Sequence, residues 1–174
     1  MSYHAQSKLS KIDDIIEMLK EGKLLALVSD AGTPTISDPG VLLVKEVRAV
    51  LGEDVRIIPI PGASAVITAL SVSGLPSSEF VFLGFFPHKK GRETLFKEIV
   101  ATERTVVFYE SPHRILKTLE SLAEHLSADR RVVVGRELTK IYEQVVVGTP
   151  VEVRDYFIDH EDKVRGEFVV MIGA

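Results

Sequence analysis

The chain has 174 residues, 45% of them apolar and 26% charged, with a formal net charge of −4. That is the composition of an ordinary globular protein, large enough for one domain or two small lobes. It excludes disulfides and thiolate metal sites, because there is no cysteine, and its net acidity argues mildly against a general polyanion binder. No run of apolar residues is long enough to span a bilayer. The start, Met1-Ser2-Tyr3-His4, has no basic-then-apolar pattern of a signal peptide. Absent cysteine is compatible with a cytoplasmic location.

Ser10 to Glu21 carries Ile12, Ile15, Ile16 and Leu19 at helical spacing, with Gly22 as a stop. Leu24 to Val28 reads as a buried strand. The loop Ser29-Asp30-Ala31-Gly32-Thr33-Pro34-Thr35-Ile36-Ser37-Asp38-Pro39-Gly40 follows it. Asp38-Pro39 reads as an N-cap with proline at the first helical position, opening a helix through Leu43 and Val47 to Gly52. Val55 to Ile58 is the next expected strand. A second loop, Pro59-Ile60-Pro61-Gly62-Ala63-Ser64-Ala65, then leads into a short apolar helix ending at Val72. Loops of this kind at the carboxyl ends of parallel strands form ligand crevices. Glycine lets a ligand approach the backbone, and proline holds the turn.

Ser71 to Ser78 is small, polar and breaker-rich, and it divides an expected first lobe, Met1–Ser77, from a second, Ser78–Ala174. Past it, strands are expected at Phe80 to Phe85, Thr105 to Tyr109, Arg131 to Val134, Gln144 to Val147 and Glu167 to Ile172. Helices are expected at Gly91 to Ala101, Pro112 to Leu126 and Pro150 to Ile158. This alternation is that of an α/β fold. The first lobe has only two expected strands, which would leave an edge and apolar faces uncovered. Something upstream, or another chain, is expected to cover them.

Five motifs in order then become informative together. They are Val28 to Pro34 with Ser37 to Gly40, Pro61 to Ala65, Gly84-Phe85-Phe86-Pro87 with Lys89-Lys90-Gly91-Arg92, Phe108 to Arg114, and Gly135 to Lys140. In this they resemble the ribosomal RNA small-subunit methyltransferase I group of the tetrapyrrole methylase superfamily, from about Ser2 to Gly173. The resemblance implies a two-lobed tetrapyrrole-methylase-like fold with the cofactor S-adenosylmethionine in the cleft. It implies methyl transfer to a cytidine ribose 2′-hydroxyl of small-subunit ribosomal RNA, and a homodimer. The family pattern has a strand and a Gly-Asn-Leu-type loop before the segment matching Ser2-Tyr3-His4, and a helical tail after Glu167 to Ile172. Both are absent here, so the amino-terminal lobe is expected to be incomplete. A tetrapyrrole methylase, and a non-catalytic cofactor- or RNA-binding fragment, are the other readings.

On this resemblance Asp30, Ala31, Gly32, Thr33 and Pro34 form one cofactor loop, and Pro61, Gly62, Ala63, Ser64 and Ala65 the other. Tyr109 and Arg136 also fall to the cofactor. Asp30 would face the cationic end of the donor, or act with Glu110 as a catalytic group that accepts a bond from a hydroxyl, or only stabilise its own turn. Glu110, at a strand end, would accept the hydroxyl proton or hold that hydroxyl in line. Alternatively, Glu110 belongs to a capped helix whose Arg114 makes a salt bridge. Lys89, Lys90, Arg92, Arg114 and Lys140 would contact RNA phosphates, which positions RNA without reading sequence. Ordinary solvated charge, or a cross-strand ion pair around Arg136 and Glu137, explains the same residues otherwise. The histidines lack metal-ligand spacing, and no metal is expected.

Overall fold

A computed structural model describes residues 9–87 and 91–174. The chain divides into two compact units, residues 1–64 and 65–174. The division falls ahead of a helix that packs on the second unit's sheet, and so before the Ser71–Ser78 segment where sequence placed it.

The first unit contains α1 (Leu9–Lys20) and α2 (Val41–Leu51). Both are amphipathic. Ile12 and Ile16 of one close on Leu43, Val47 and Leu51 of the other, each 8% exposed or less. α2 opens at Gly40 with no side-chain cap, so Asp38 is not the cap that its place before Pro39 suggested.

The two expected strands of this unit are absent. Residues 23–29 and 56–64 join no ladder among the described residues. Leu24 is 95% exposed, Val28 82% and Ile60 76%. An extended apolar segment becomes a strand only with a hydrogen-bonded neighbour, and neither has one here.

The second unit holds α3 (Ala65–Ser73), β1 (Phe80–Phe85), α4 (Arg92–Ala101), β2 (Thr105–Glu110), α5 (Ile115–His125), β3 (Val132–Arg136), β4 (Gln144–Gly148), α6 (Pro150–Asp159) and β5 (Phe168–Ile172). The strands form one sheet in the order β1-β2-β5-β3-β4. β1 and β2 run parallel, and the other pairs are antiparallel. β3 and β5 are buried along their whole length, which explains continuous apolar runs rather than alternation. One face carries Phe96, Ile99, Ile115, Leu119, Leu122, Val153 and Phe157 from α4, α5 and α6. The other carries Val66, Ala69 and Leu70 from α3 against Val107, Val133, Val169 and Met171. α6 begins with a reciprocal cap: Glu152 N–H donates to the Thr149 hydroxyl, and Thr149 N–H to the Glu152 carboxylate, with Pro150 in the first turn.

β1 ends irregularly. Phe82 pairs with Val107 and Phe85 with Tyr109. Two residues of β1 therefore lie opposite one of β2 between those pairs, which is a bulge. Gly84 supplies it at φ 67°, a conformation costly for any residue with a Cβ. The extra residue reverses the alternation. Phe85 joins the face of Phe82 and Tyr109, while Phe86 turns to the other and is buried between Phe96 and Phe108. Among the described residues, no helix is long and apolar enough to cross a membrane.

Candidate functional site

In the first unit the two glycine-bearing loops meet. The Thr33 hydroxyl donates to the Ala63 carbonyl at 3.2 Å. A Cβ built on Gly32 would lie 3.8 Å from that same carbonyl, and one on Gly62 3.6 Å from the Thr33 hydroxyl. So Asp30–Pro34 and Pro61–Ser64 share one place, as their pairing in sequence suggested, while Ala65 already opens α3. The turn at Asp30 is held by the neighbouring residue: the Ser29 hydroxyl donates to the Ala31 carbonyl at 3.2 Å. Among the described residues the exposed Asp30 carboxylate has no hydrogen bond or ion pair of its own. Further along, Thr35 and Ser37 sit at φ 75° and 58°. For a β-branched residue this is a strained backbone, of the kind found where a loop is held for a ligand. A Cβ on Gly40 would lie 2.8 Å from Thr35 Cγ2, so the loop folds closely on itself.

In the second unit, Glu110 ends β2 with its side chain wholly buried. One carboxylate oxygen accepts from Ser111 N–H and from Arg114 Nη2, both at 2.8 Å. The other accepts from the Thr118 hydroxyl at 2.7 Å. Arg114 in turn donates Nη1 to the Phe86 carbonyl at 2.8 Å and Nε to the Ser111 hydroxyl at 3.2 Å. Arg92 donates to Thr118 at 3.0 Å and lies over the Phe86 and Phe96 rings at 4.9 and 5.1 Å. Burial lowers its pKa, although Glu110 pulls the other way. The cluster is thus a buried ion pair with Arg92 as a further member, and α5 opens after it with no side-chain cap. α5 itself starts only at Ile115, since residues 112–114 form a turn. Neither Thr118 nor the Phe86 carbonyl was read from sequence. The i,i+4 spacing of Glu110 and Arg114 was the available signal. His113 is exposed. Lys89 and Lys90 lie outside the described residues.

The Gly135–Lys140 segment is a tight corner. Arg136 is 5% exposed and donates to the Arg165 and Tyr142 carbonyls at 2.8 and 3.2 Å. Lys140 bridges Glu137 and Glu167 at 3.0 and 2.8 Å. Those partners raise its pKa. Glu137 also accepts the Glu167 N–H at 2.9 Å, and that bond, then Lys140, holds its carboxyl below the usual value. A Cβ on Gly166, which sits at φ 87°, would fall 2.5 Å from the Glu137 carboxyl carbon, so a side chain there would strain the backbone and displace that carboxylate. Because the folded value lies below the unfolded one, Glu137 stabilises the fold fully above the ordinary value of 4.5. That contribution fades as pH falls through the lower folded value. Thermal unfolding scanned into that acid range should show a flatter decline for Glu137→Gln than for the unmodified chain. An unchanged slope would remove the corner as an acid-labile element. Tyr109 packs edge-on to Phe82 and Phe85, with centroids 5.1 and 5.3 Å apart.

The family model for tetrapyrrole (corrin/porphyrin) methylases matches residues 4–153. The chain belongs to that family. Ribosomal RNA small subunit methyltransferase I of Xylella fastidiosa is 45% identical over 173 residues, 99% of this chain and 62% of that protein. The protein of the same name from Haemophilus influenzae is 41% identical over 170 residues, 97% and 59%. The chain therefore spans about three fifths of the length of these curated relatives. The solved structure of the methyltransferase CobJ superposes with a TM-score of 0.65 at 22% identity, covering 97% of this chain and 72% of that one. That likeness establishes the family's mixed α/β fold for this chain.

Proposed function

We propose that this chain is the methyl-transferring part of an S-adenosylmethionine-dependent enzyme that 2′-O-methylates a cytidine ribose in small-subunit ribosomal RNA. The meeting of the two loops at Thr33 and Ala63 carries the reading. S-adenosylmethionine supplies a methyl group on a cationic sulfur. Asp30 offers a carboxylate that no described residue engages to a ligand of that charge. Gly62 keeps clear the space that a side chain would fill, and the Thr33–Ala63 bond fixes the loops with respect to each other. Transfer from an activated methyl asks mainly for alignment of the two reactants. Glu110 is then a positioning residue. Both its oxygens are occupied, and Arg114 shares the duty by holding the backbone after β1. Arg136 and Lys140 shape the corner after β3, and the phosphate contacts fall to Lys89 and Lys90.

The strongest support for RNA over a tetrapyrrole is the identity to proteins named for ribosomal RNA, about twice that to CobJ. The reading carries a cytoplasmic homodimer with the small ribosomal subunit as partner. The exposed apolar residues at 24–28 and 57–60 favour self-association.

Calorimetric titration of the donor into the unmodified chain and Gly62→Val tests the site. A Cβ at this position meets nothing closer than 3.6 Å, so thermal stability should hold while donor affinity falls by at least about tenfold, near 1.4 kcal/mol. Equal loss of stability and affinity would make the loop a mere turn. Radiolabelled methyl appearing in small-subunit RNA supports the acceptor. Label entering only a porphyrin substrate would move the chain to the tetrapyrrole branch.

A further inference from the structure

Phe85 is 59% exposed, although a polar residue would suit that position in a simple strand end. Three observations make it more than a stray surface aromatic. The bulge at Gly84 turns its ring to the face of Phe82 and Tyr109, and bulges near sites re-aim side chains in this way. Tyr109 then sets its ring at 60° to Phe85 with centroids 5.3 Å apart, and at 69° to Phe82. The backbone just beyond is fastened twice: Phe86 N–H donates to the Tyr109 carbonyl at 3.2 Å, and the Phe86 carbonyl accepts from Arg114. An exposed ring is thus presented at the carboxyl ends of two parallel strands by a chain that cannot easily withdraw it. The sequence that follows carries Lys89 and Lys90, while Arg92 is turned inward to Thr118 and the Phe86 ring.

We propose that Phe85, backed by Tyr109, is a stacking platform for an unpaired nucleobase of the RNA substrate. The inference rests on the RNA reading above and adds to it the group that receives a base. Aromatic rings on an accessible sheet face stack unpaired bases regardless of identity, because every base has a π-face. A double helix keeps its bases stacked inside, so the platform selects single-stranded or splayed-out RNA. The ring and the phosphate contacts divide the work: phosphates set affinity and salt dependence, and the ring sets where a base comes to rest.

A single-stranded RNA oligonucleotide carrying 2-aminopurine tests this by fluorescence titration. The unmodified chain should bind it and quench the base. Phe85→Ala should lose most of the quenching and bind about tenfold more weakly, a typical loss for one stacked base. Phe85→Trp should keep both properties. Phe85→Leu, which retains apolar bulk without a π-face, should resemble the alanine variant, and serves in its place if that variant fails to fold. RNA bound as tightly by Phe85→Ala and Phe85→Leu, with quenching intact, overturns the platform and leaves the RNA reading standing. No binding of RNA by the unmodified chain overturns both. Uroporphyrin binding that needs Phe85 and is not displaced by RNA overturns the nucleobase as occupant.

Discussion

Glu110→Ala should destabilise the chain by about 3–5 kcal/mol, the cost of stranding one partner of a buried ion pair. Three donors lose their acceptor at once: Ser111 N–H, the Thr118 hydroxyl and Arg114. The Arg114 side chain is only 18% exposed, so water replaces the carboxylate poorly. The damage should spread to the backbone after β1, which Arg114 holds through the Phe86 carbonyl. Urea unfolding of Glu110→Ala, Arg114→Ala and the double variant measures this. The double variant should lose less than the sum, because no uncompensated charge remains. Strict additivity would mean that the two groups are not coupled. The experiment also separates the roles open to Glu110. A proton acceptor would lower turnover and leave stability intact, whereas a positioning residue loses stability first.

Phe86→Ala should cost about 3–5 kcal/mol, in the range for a large ring removed from a filled core. Its ring is 1% exposed and lies 4.7 Å from Phe108 and 4.9 Å from Phe96. It also carries the Arg92 guanidinium on its face. The adjacent Phe85→Ala should change stability by no more than about 0.5 kcal/mol, as at an ordinary surface position. Two neighbouring phenylalanines would then differ severalfold in consequence. Thermal or urea unfolding of both variants reads the contrast. A reversed order would place the rings as a strand without the extra residue at Gly84.

Much of the second unit was legible in the sequence. Its five strands and α4 to α6 are all present where β-branched runs and helical spacing put them, shifted by a few residues at their ends. Those strands have neighbours, so their apolar pattern and their hydrogen bonding agree. Leu24–Val28 and Val55–Ile58 carry the same kind of pattern without it. Periodicity records which side of a segment favours burial. It does not record whether a partner strand stands beside it, and that is why both were read as strands. Asp38-Pro39 misled for a related reason: a capping residue is recognised by type, but the helix starts where its backbone turns, at Gly40.

The candidate site was legible where backbone chemistry marks it. Glycines and prolines announced both loops, and the loops do touch. Side-chain roles were harder to read. Glu110 looked like an available carboxylate because its position at a strand end is where sites are built. Thr118, eight residues on, is what completes its sequestration. Arg92 and Arg114 looked like cations for phosphate, yet their donors are turned inward to Thr118 and the Phe86 carbonyl. The bulge at Gly84 was beyond reach for a different reason. A single extra residue leaves composition unchanged and shows itself only in pairing register.

The order of strands in the sheet bears on how the protein is made. β5 sits between β2 and β3 and is bonded to both, yet it comes last of the five. While the chain emerges from the ribosome, β1–β2 and β3–β4 can each form as separate pairs with an open apolar flank. Neither half can join the other until residue 172 has been synthesised. The sheet is therefore completed only after translation of nearly all of this sequence, by insertion of a late, wholly apolar wedge, and until then the two half-sheets expose the kind of unpaired apolar flank that favours aggregation.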